Sequence, residues 1–185
     1  MQTTETKIAI AGFGGQGIVL AGNILARAAV LEKKNVTGMV SYGVEMRGGT
    51  ANATIVISDD EIASPVVERP DAAMLLNQPS VDRFVPAIEP GGVAIINGSL
   101  ASCKLDRDDL DVCCLPAGEL ARSLGNIRVA NITALGAFVA MTEVVKMSNV
   151  VRAIEDLFGS KKPQLLAIND KALEAGAKAA AKNKA

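Results

Sequence analysis

The sequence has no histidine, no tryptophan, one tyrosine and three cysteines among its 185 residues. Each shortage closes off a class of function. Without histidine, the commonest general base and the commonest metal ligand are both missing. A single tyrosine leaves almost nothing to stack on bases. The formal net charge of −1 lacks the basic excess that a phosphate backbone attracts, so no nucleic-acid partner is expected. Cys103, Cys113 and Cys114 contain no CxxC pair, so the chain alone cannot furnish a four-thiolate iron–sulfur or zinc site, and no metal ligand is nominated. Their odd number, with no basic secretory region in "MQTTETK", suits a reducing cytoplasm. The long apolar stretch Ile8–Leu31 carries Gln16, Asn23, Arg27 and five glycines, which a membrane span would not tolerate.

What is present is a chain 49% hydrophobic and 21% charged, long enough for one full core. A single domain over 1–185 is expected, with flexible ends at 1–6 and about 180–185. "KIAIAG" reads as a buried first strand. From Gly17 to about Lys34, Ile18, Ala21, Leu25, Ala28 and Ala29 recur at helical spacing. "NVTGMVS" follows as a second strand, and the three together predict a βαβ unit with a parallel, right-handed pair. "TANATIVIS" reads as a strand with one wetter face. "DAAMLLN", "GGVAIING" and "LDVCCLPA" read as further strands, with "QPSVDRFVPAI" and "GELARSLG" as helices. Adjacent Cys113 and Cys114 belong to a buried strand on this reading. "IRVA" is strand-like. The last third is helical, with Asn149 placed to cap "SNVVRAIEDLFG" and Gly159 to stop it. The fold class is α/β: a Rossmann-like three-layer sandwich with a mostly parallel sheet and additional C-terminal helices.

Residues 12–17, "GFGGQG", lie between strand and helix and match G-x-G-x-x-G at Gly12, Gly14 and Gly17. The helix start there favours an anion. A dinucleotide site needs an acidic residue about 20 positions on, at the end of the second strand. That region, "TGMVS", has neither Asp nor Glu and no arginine for a 2′-phosphate. The glycines can also simply let helix and strand pack closely. Gly15 and Gln16 exceed what packing needs, and the Gln16 amide can order a loop or meet a partner. A second cluster, "YGVEMRGGT", sets Glu45 and Arg47 two apart before Gly48 and Gly49. It reads as a solvated loop with a local ion pair, as a guanidinium fork for a carboxylate or phosphate, or as an interface anchor. Both loops are expected side by side at the carboxyl edge of the sheet.

At these residues the sequence resembles the gamma subunit of 2-oxoacid:ferredoxin oxidoreductases. The resemblance rests on "GFGGQGIVLAGNILARAA", "SYGVEMRGGTANATIVISDDEIASPVV", "PDAAMLLNQPS", "GELARSLGNIRVANITALGAF" and "INDKALEAG", and spans nearly the whole chain. The second motif is closer to the 2-oxoglutarate and branched-chain members than to the pyruvate members. The resemblance implies a complex that oxidatively decarboxylates a 2-oxoacid, transfers the acyl group to coenzyme A and reduces ferredoxin. It implies thiamine diphosphate between alpha and beta subunits, and iron–sulfur clusters on the beta and a ferredoxin-like delta subunit. For this chain it implies coenzyme A binding, subunit assembly or both, with no catalytic residue of its own. Gly12, Gly14, Gly15, Gln16, Gly17, Glu45, Arg47, Gly48, Gly49 and Asn131 are the expected cofactor-binding positions. Thr133 is expected near the same edge. Two other readings stand beside it: a free-standing NAD(P)-binding oxidoreductase, and a scaffold module with no ligand.

Overall fold

The structure is a computed structural model that describes residues 5–43, 49–159 and 163–183. Among these residues six strands form one sheet: β1 (Thr6–Phe13), β2 (Asn35–Tyr42), β3 (Thr50–Ser58), β4 (Ala72–Leu75), β5 (Val93–Asn97) and β6 (Asp111–Leu115). The helices are α1 (Ile18–Leu31), α2 (Gln78–Phe84), α3 (Ala117–Ser123), α4 (Ala130–Thr142), α5 (Met147–Phe158) and α6 (Leu166–Asn183). The strand order is β2-β3-β1-β4-β5-β6.

The β1–β4, β4–β5 and β5–β6 pairs are parallel, and β3 is antiparallel to both its neighbours. β1 and β2 therefore run the same way, yet they are not paired. The βαβ pair expected of them is replaced by a β2–β3 hairpin inserted next to β1. The reason lies in burial. β3 is buried along nearly its whole length, whereas β2 is exposed at most positions, so the wetter strand is β2 and not β3. A parallel neighbour needs a long crossover, while an antiparallel one closes with a short connection. The more apolar β3 takes the inner place and β2 stays at the edge.

Alternation along β1 separates two cores. Ile8 and Ile10 face α1, α4, α5 and α6, while Ala9 and Ala11 face α2 with Leu75, Val81, Ile88 and Ile96. α4 is buried around nearly its whole circumference, as a helix so largely apolar must be, and its polar Asn131 and Thr133 side chains bond to backbone carbonyls. Its packing on α6 is backbone against backbone. A methyl added at Gly136 would collide with the Leu173 carbonyl, and one at Gly176 with the Thr133 carbonyl. The Ala- and Gly-rich helical segments thus serve the domain's own interior.

Two local expectations are corrected. "IRVA" is a single 3-10 turn, Ile127–Val129, closed by the Asn126 side chain accepting the Arg128 N–H at 3.0 Å. Asn149 does not cap α5. The carboxylate of Glu32, from the end of α1, accepts the Lys146 N–H (2.6 Å) and the Asn149 side-chain amide (3.0 Å). Burial pushes the Glu32 carboxyl up. The hydrogen bonds from Asn149 and Lys146, with the Lys34 and Lys146 charges, outweigh that and hold it below its ordinary value.

Gly176→Ala should destabilise the full chain by about 3 kcal/mol, because neither backbone can withdraw from a close helix crossing. Urea unfolding measures it, and a midpoint equal to wild type would refute the backbone contact.

Candidate functional site

The parallel strands β1, β4, β5 and β6 end at one edge of the sheet, where a ligand crevice opens in folds of this type. The first element of that edge is the loop Gly12–Gly17. Two glycines there are structurally obligatory. A side chain at Gly12 would lie 2.5 Å from Gln16 Oε1 and 2.8 Å from Ile18 Cδ1, and one at Gly17, in the left-handed region at φ 78°, would strike the Asn131 amide. Gly15, at φ 90°, has open space where its side chain would be.

Gln16 turns inward. Its Oε1 accepts the Phe13 N–H at 2.6 Å, and its Nε2 donates to the Leu76 carbonyl at 3.4 Å. The amide therefore ties the glycine loop to the end of β4. On the other flank, Gly14 N–H donates to the Gly49 carbonyl at 2.9 Å, so the glycine loop and the start of β3 do lie side by side. Glu45, Arg47 and Gly48 lie outside the described residues. Asn131 donates through Nδ2 to the Gly17 carbonyl at 3.2 Å, fixing the start of α1 from α4. Its Oδ1 is buried without a hydrogen-bond partner. Thr133 is turned away from the edge, fully buried, and donates to the Val129 carbonyl.

Between these elements is a cleft of about 280 Å³ whose walls include Gly15, Asn97, Ser99, Arg122, Arg128 and Asn131. Among the described residues two arginines line it and no carboxylate does, so their field favours an anion. Asn131, whose Oδ1 is left without a partner, is one of the cleft's lining residues. A second, largely apolar hollow of about 240 Å³ lies on the other side of the loop, against Tyr42 and Ile18. The start of α1 carries no acidic residue in its first turn and no side-chain cap, which leaves its positive end available.

The NAD reading loses its geometry as well as its acid. In a dinucleotide fold the ribose-binding residue tips the strand parallel and adjacent to β1. Here the neighbour on that side is antiparallel β3, which begins at Thr50. Among the described residues no group of histidine, cysteine or carboxylate side chains could hold a metal ion, and no helix is long and apolar enough to cross a membrane.

Comparison with known proteins places the architecture. The family model "Pyruvate ferredoxin/flavodoxin oxidoreductase" matches residues 7–179. The chain belongs to this family. The ketoisovalerate oxidoreductase subunit VorA of Methanothermobacter marburgensis is 36% identical over 179 residues, covering 97% of this chain and 37% of VorA. The chain thus spans little more than a third of that relative. The gamma subunit of a keto/oxoacid ferredoxin oxidoreductase from Geobacter sulfurreducens shares 31% identity at a TM-score of 0.82, covering 96% of this chain and 99% of that one. A 2-oxoglutarate:ferredoxin oxidoreductase from Magnetococcus marinus, solved with 2-oxoglutarate, coenzyme A and succinyl-CoA, shares the fold at a TM-score of 0.84 and 22% identity, over 96% of this chain and 31% of that one.

The oxidoreductase family's α/β fold therefore brings Gly15, Gln16, Gly17, Gly49 and Asn131 to one edge, and adds residues that sequence reading did not nominate. Arg122 and Arg128 flank the turn "SLGN", and Asn97 ends β5. A signal existed: Asn97 ends one parallel strand, β5, and the arginine-bearing helix α3 follows the next, β6, which sets both at the carboxyl edge.

Gln16→Ala should leave the fold intact but free the Phe13 amide, at a cost of about 1–2 kcal/mol. Amide exchange at Phe13 should accelerate markedly. Unchanged protection would mean that Gln16 does not close the loop.

Proposed function

We propose that this chain is the gamma subunit of a thiamine diphosphate-dependent 2-oxoacid:ferredoxin oxidoreductase in the cytoplasm, and that its cleft forms part of the coenzyme A site. The observation that carries the proposal is the cleft itself: among the described residues it has two arginines, no acid, and at its wall Asn131, whose buried Oδ1 has no hydrogen-bond partner. Coenzyme A supplies the matching groups, since its phosphates suit Arg122 and Arg128 and its amide and amine N–H groups suit Asn131 Oδ1. The glycine loop, with Gly12, Gly14 and Gly17, would let the cofactor approach the positive start of α1. Glu45, Arg47 and Gly48, outside the described residues, are proposed as further cofactor-binding positions on the resemblance of their motif.

At about 280 Å³ the cleft sits below the usual range for small-molecule pockets, roughly 300–1,000 Å³. It would hold one portion of so long a cofactor, the remainder resting on other chains. That division agrees with VorA, in which the matched region is 37% of a larger polypeptide. Alpha and beta subunits would bring thiamine diphosphate, and the beta and ferredoxin-like delta subunits would bring the clusters that pass electrons to ferredoxin. The 2-oxoacid would be 2-oxoglutarate, 2-oxoisovalerate or pyruvate, with the first two favoured. The chain's own part is to bind and orient the acyl acceptor. The exposed, uncharged edge strand β2, with Met39 51% and Tyr42 67% exposed beside Val30 and Val40, offers an apolar surface for assembly.

In the assembled complex, Arg122→Ala and Arg128→Ala should each raise the KM for coenzyme A about tenfold, as expected for losing one charge-assisted contact. The KM for the 2-oxoacid should not move. An unchanged coenzyme A KM in an intact complex would overturn the assignment of the cleft.

A further inference from the structure

The segment joining β5 to β6, residues 98–110, has no helix or strand of its own, yet it supplies Ser99 and Leu100 to the cleft wall. What holds it is a set of discrete ties. The Ser99 N–H donates to Asn97 Oδ1 at 3.2 Å, and the Ser102 N–H to Gln78 Oε1 at 2.7 Å. Arg107 reaches the carbonyls of Val85 and Ile88. Between these ties lies a covalent one. Cys103 is disulfide-bonded to Cys114 of β6, with Cα atoms 5.8 Å apart, a spacing that a disulfide bridges without backbone movement.

The environments of the three cysteines differ. Cys113 points into the core on the α4 face and is fully buried. One residue on, the strand's alternation turns Cys114 to the other face, where it is half-buried, and Cys103 is exposed. The bonded sulfurs rest on Gly98: a side chain there would lie 2.9 Å from Cys114 Sγ and 3.3 Å from Cys103 Sγ. Ser99 follows directly, and its side chain packs against Gly118 at the start of α3, another lining residue. The disulfide is therefore one residue removed from the cleft wall, and its Cys103 end belongs to a surface-exposed residue.

We propose that Cys103 and Cys114 are a reversible dithiol–disulfide couple that fixes the Ser99–Leu100 wall, so that the cleft tightens when the pair is oxidised and loosens when it is reduced. The oxidant is a low-molecular-weight disulfide. The Cys103 thiolate attacks one of its sulfurs and expels one thiol. The Cys114 thiolate then attacks Cys103 Sγ in the mixed disulfide and expels the second. Two protein thiols and one small disulfide give one protein disulfide and two small thiols. A dithiol reductant runs the exchange backwards. The consequence for ligand binding rests on the coenzyme A reading of the cleft, whereas the couple itself does not.

The test uses the full chain, oxidised with glutathione disulfide or reduced with dithiothreitol, under anaerobic conditions. Differential alkylation should trap Cys103 and Cys114 together after reduction of the folded chain, with Cys113 protected in both states. Amide exchange across residues 98–104 should quicken on the order of tenfold on reduction, because a short closed loop is released. Cys103→Ser should exchange at the fast rate in both conditions. A pair that resists reduction in the folded chain, or an exchange rate indifferent to it, overturns the couple. In the assembled complex the coenzyme A KM should be several-fold lower for the oxidised form. If Arg122→Ala raises that KM while the redox state leaves it unchanged, the link between couple and cleft is wrong. If neither moves it, the coenzyme A reading has failed, and the couple still stands or falls on exchange.

Discussion

The hydrogen bond from the Phe13 N–H to Gln16 Oε1 decides what the glycine loop can be. It folds the glutamine amide back over Gly12, where no side chain fits, and its other end reaches the Leu76 carbonyl at the end of β4. A loop closed from within offers a ligand its backbone rather than a side chain. The polar chemistry then shifts sideways, to Asn131, which grips the Gly17 carbonyl, keeps a buried, unmatched Oδ1 and lines the neighbouring cleft. Loop, helix start and cleft are one structure because two side-chain amides, Gln16 and Asn131, hold the same six residues from opposite sides.

Strand order supplies the second constraint. Inserting β3 between β1 and β2 keeps the parallel carboxyl edge on the β4–β5–β6 side and turns the other side into a hairpin whose second strand is preceded by Gly49, the acceptor of the Gly14 N–H. A dinucleotide would need the opposite arrangement, with a parallel strand tip beside the loop. The same insertion pushes the uncharged β2 to the rim, where Met39, Val40 and Tyr42 stay exposed. Carboxyl edge and apolar rim thus arise from one topological choice, which suits the proposed place of the chain in a larger assembly.

Most of the element plan could be read from periodicity. β1, α1 and α5 carry legible patterns, and "GFGGQG" announced its turn. The place of β3 could not be read, because a strand buried on both faces and one buried on a single face differ only in small residues such as Ala51 and Ala53. Glu32 capping α5 and Cys103 meeting Cys114 are long-range pairings that local spacing does not encode. Arg122 and Arg128 were invisible as a pair for the same reason: they face one cleft only once α3 and the turn at Ile127 have folded. Asn131 was legible through its motif, while Thr133, two residues on, turned inward to bond its own helix.

The central claim is that this chain completes a site whose other half lies on partner subunits. Isolation of the chain from its native source without oxygen, followed by native mass spectrometry, tests it most directly. The chain should elute with subunits bearing thiamine diphosphate and iron–sulfur clusters, in a fraction that reduces ferredoxin when given a 2-oxoacid and coenzyme A. Elution of the chain alone, with no such activity in its fractions, would contradict the claim.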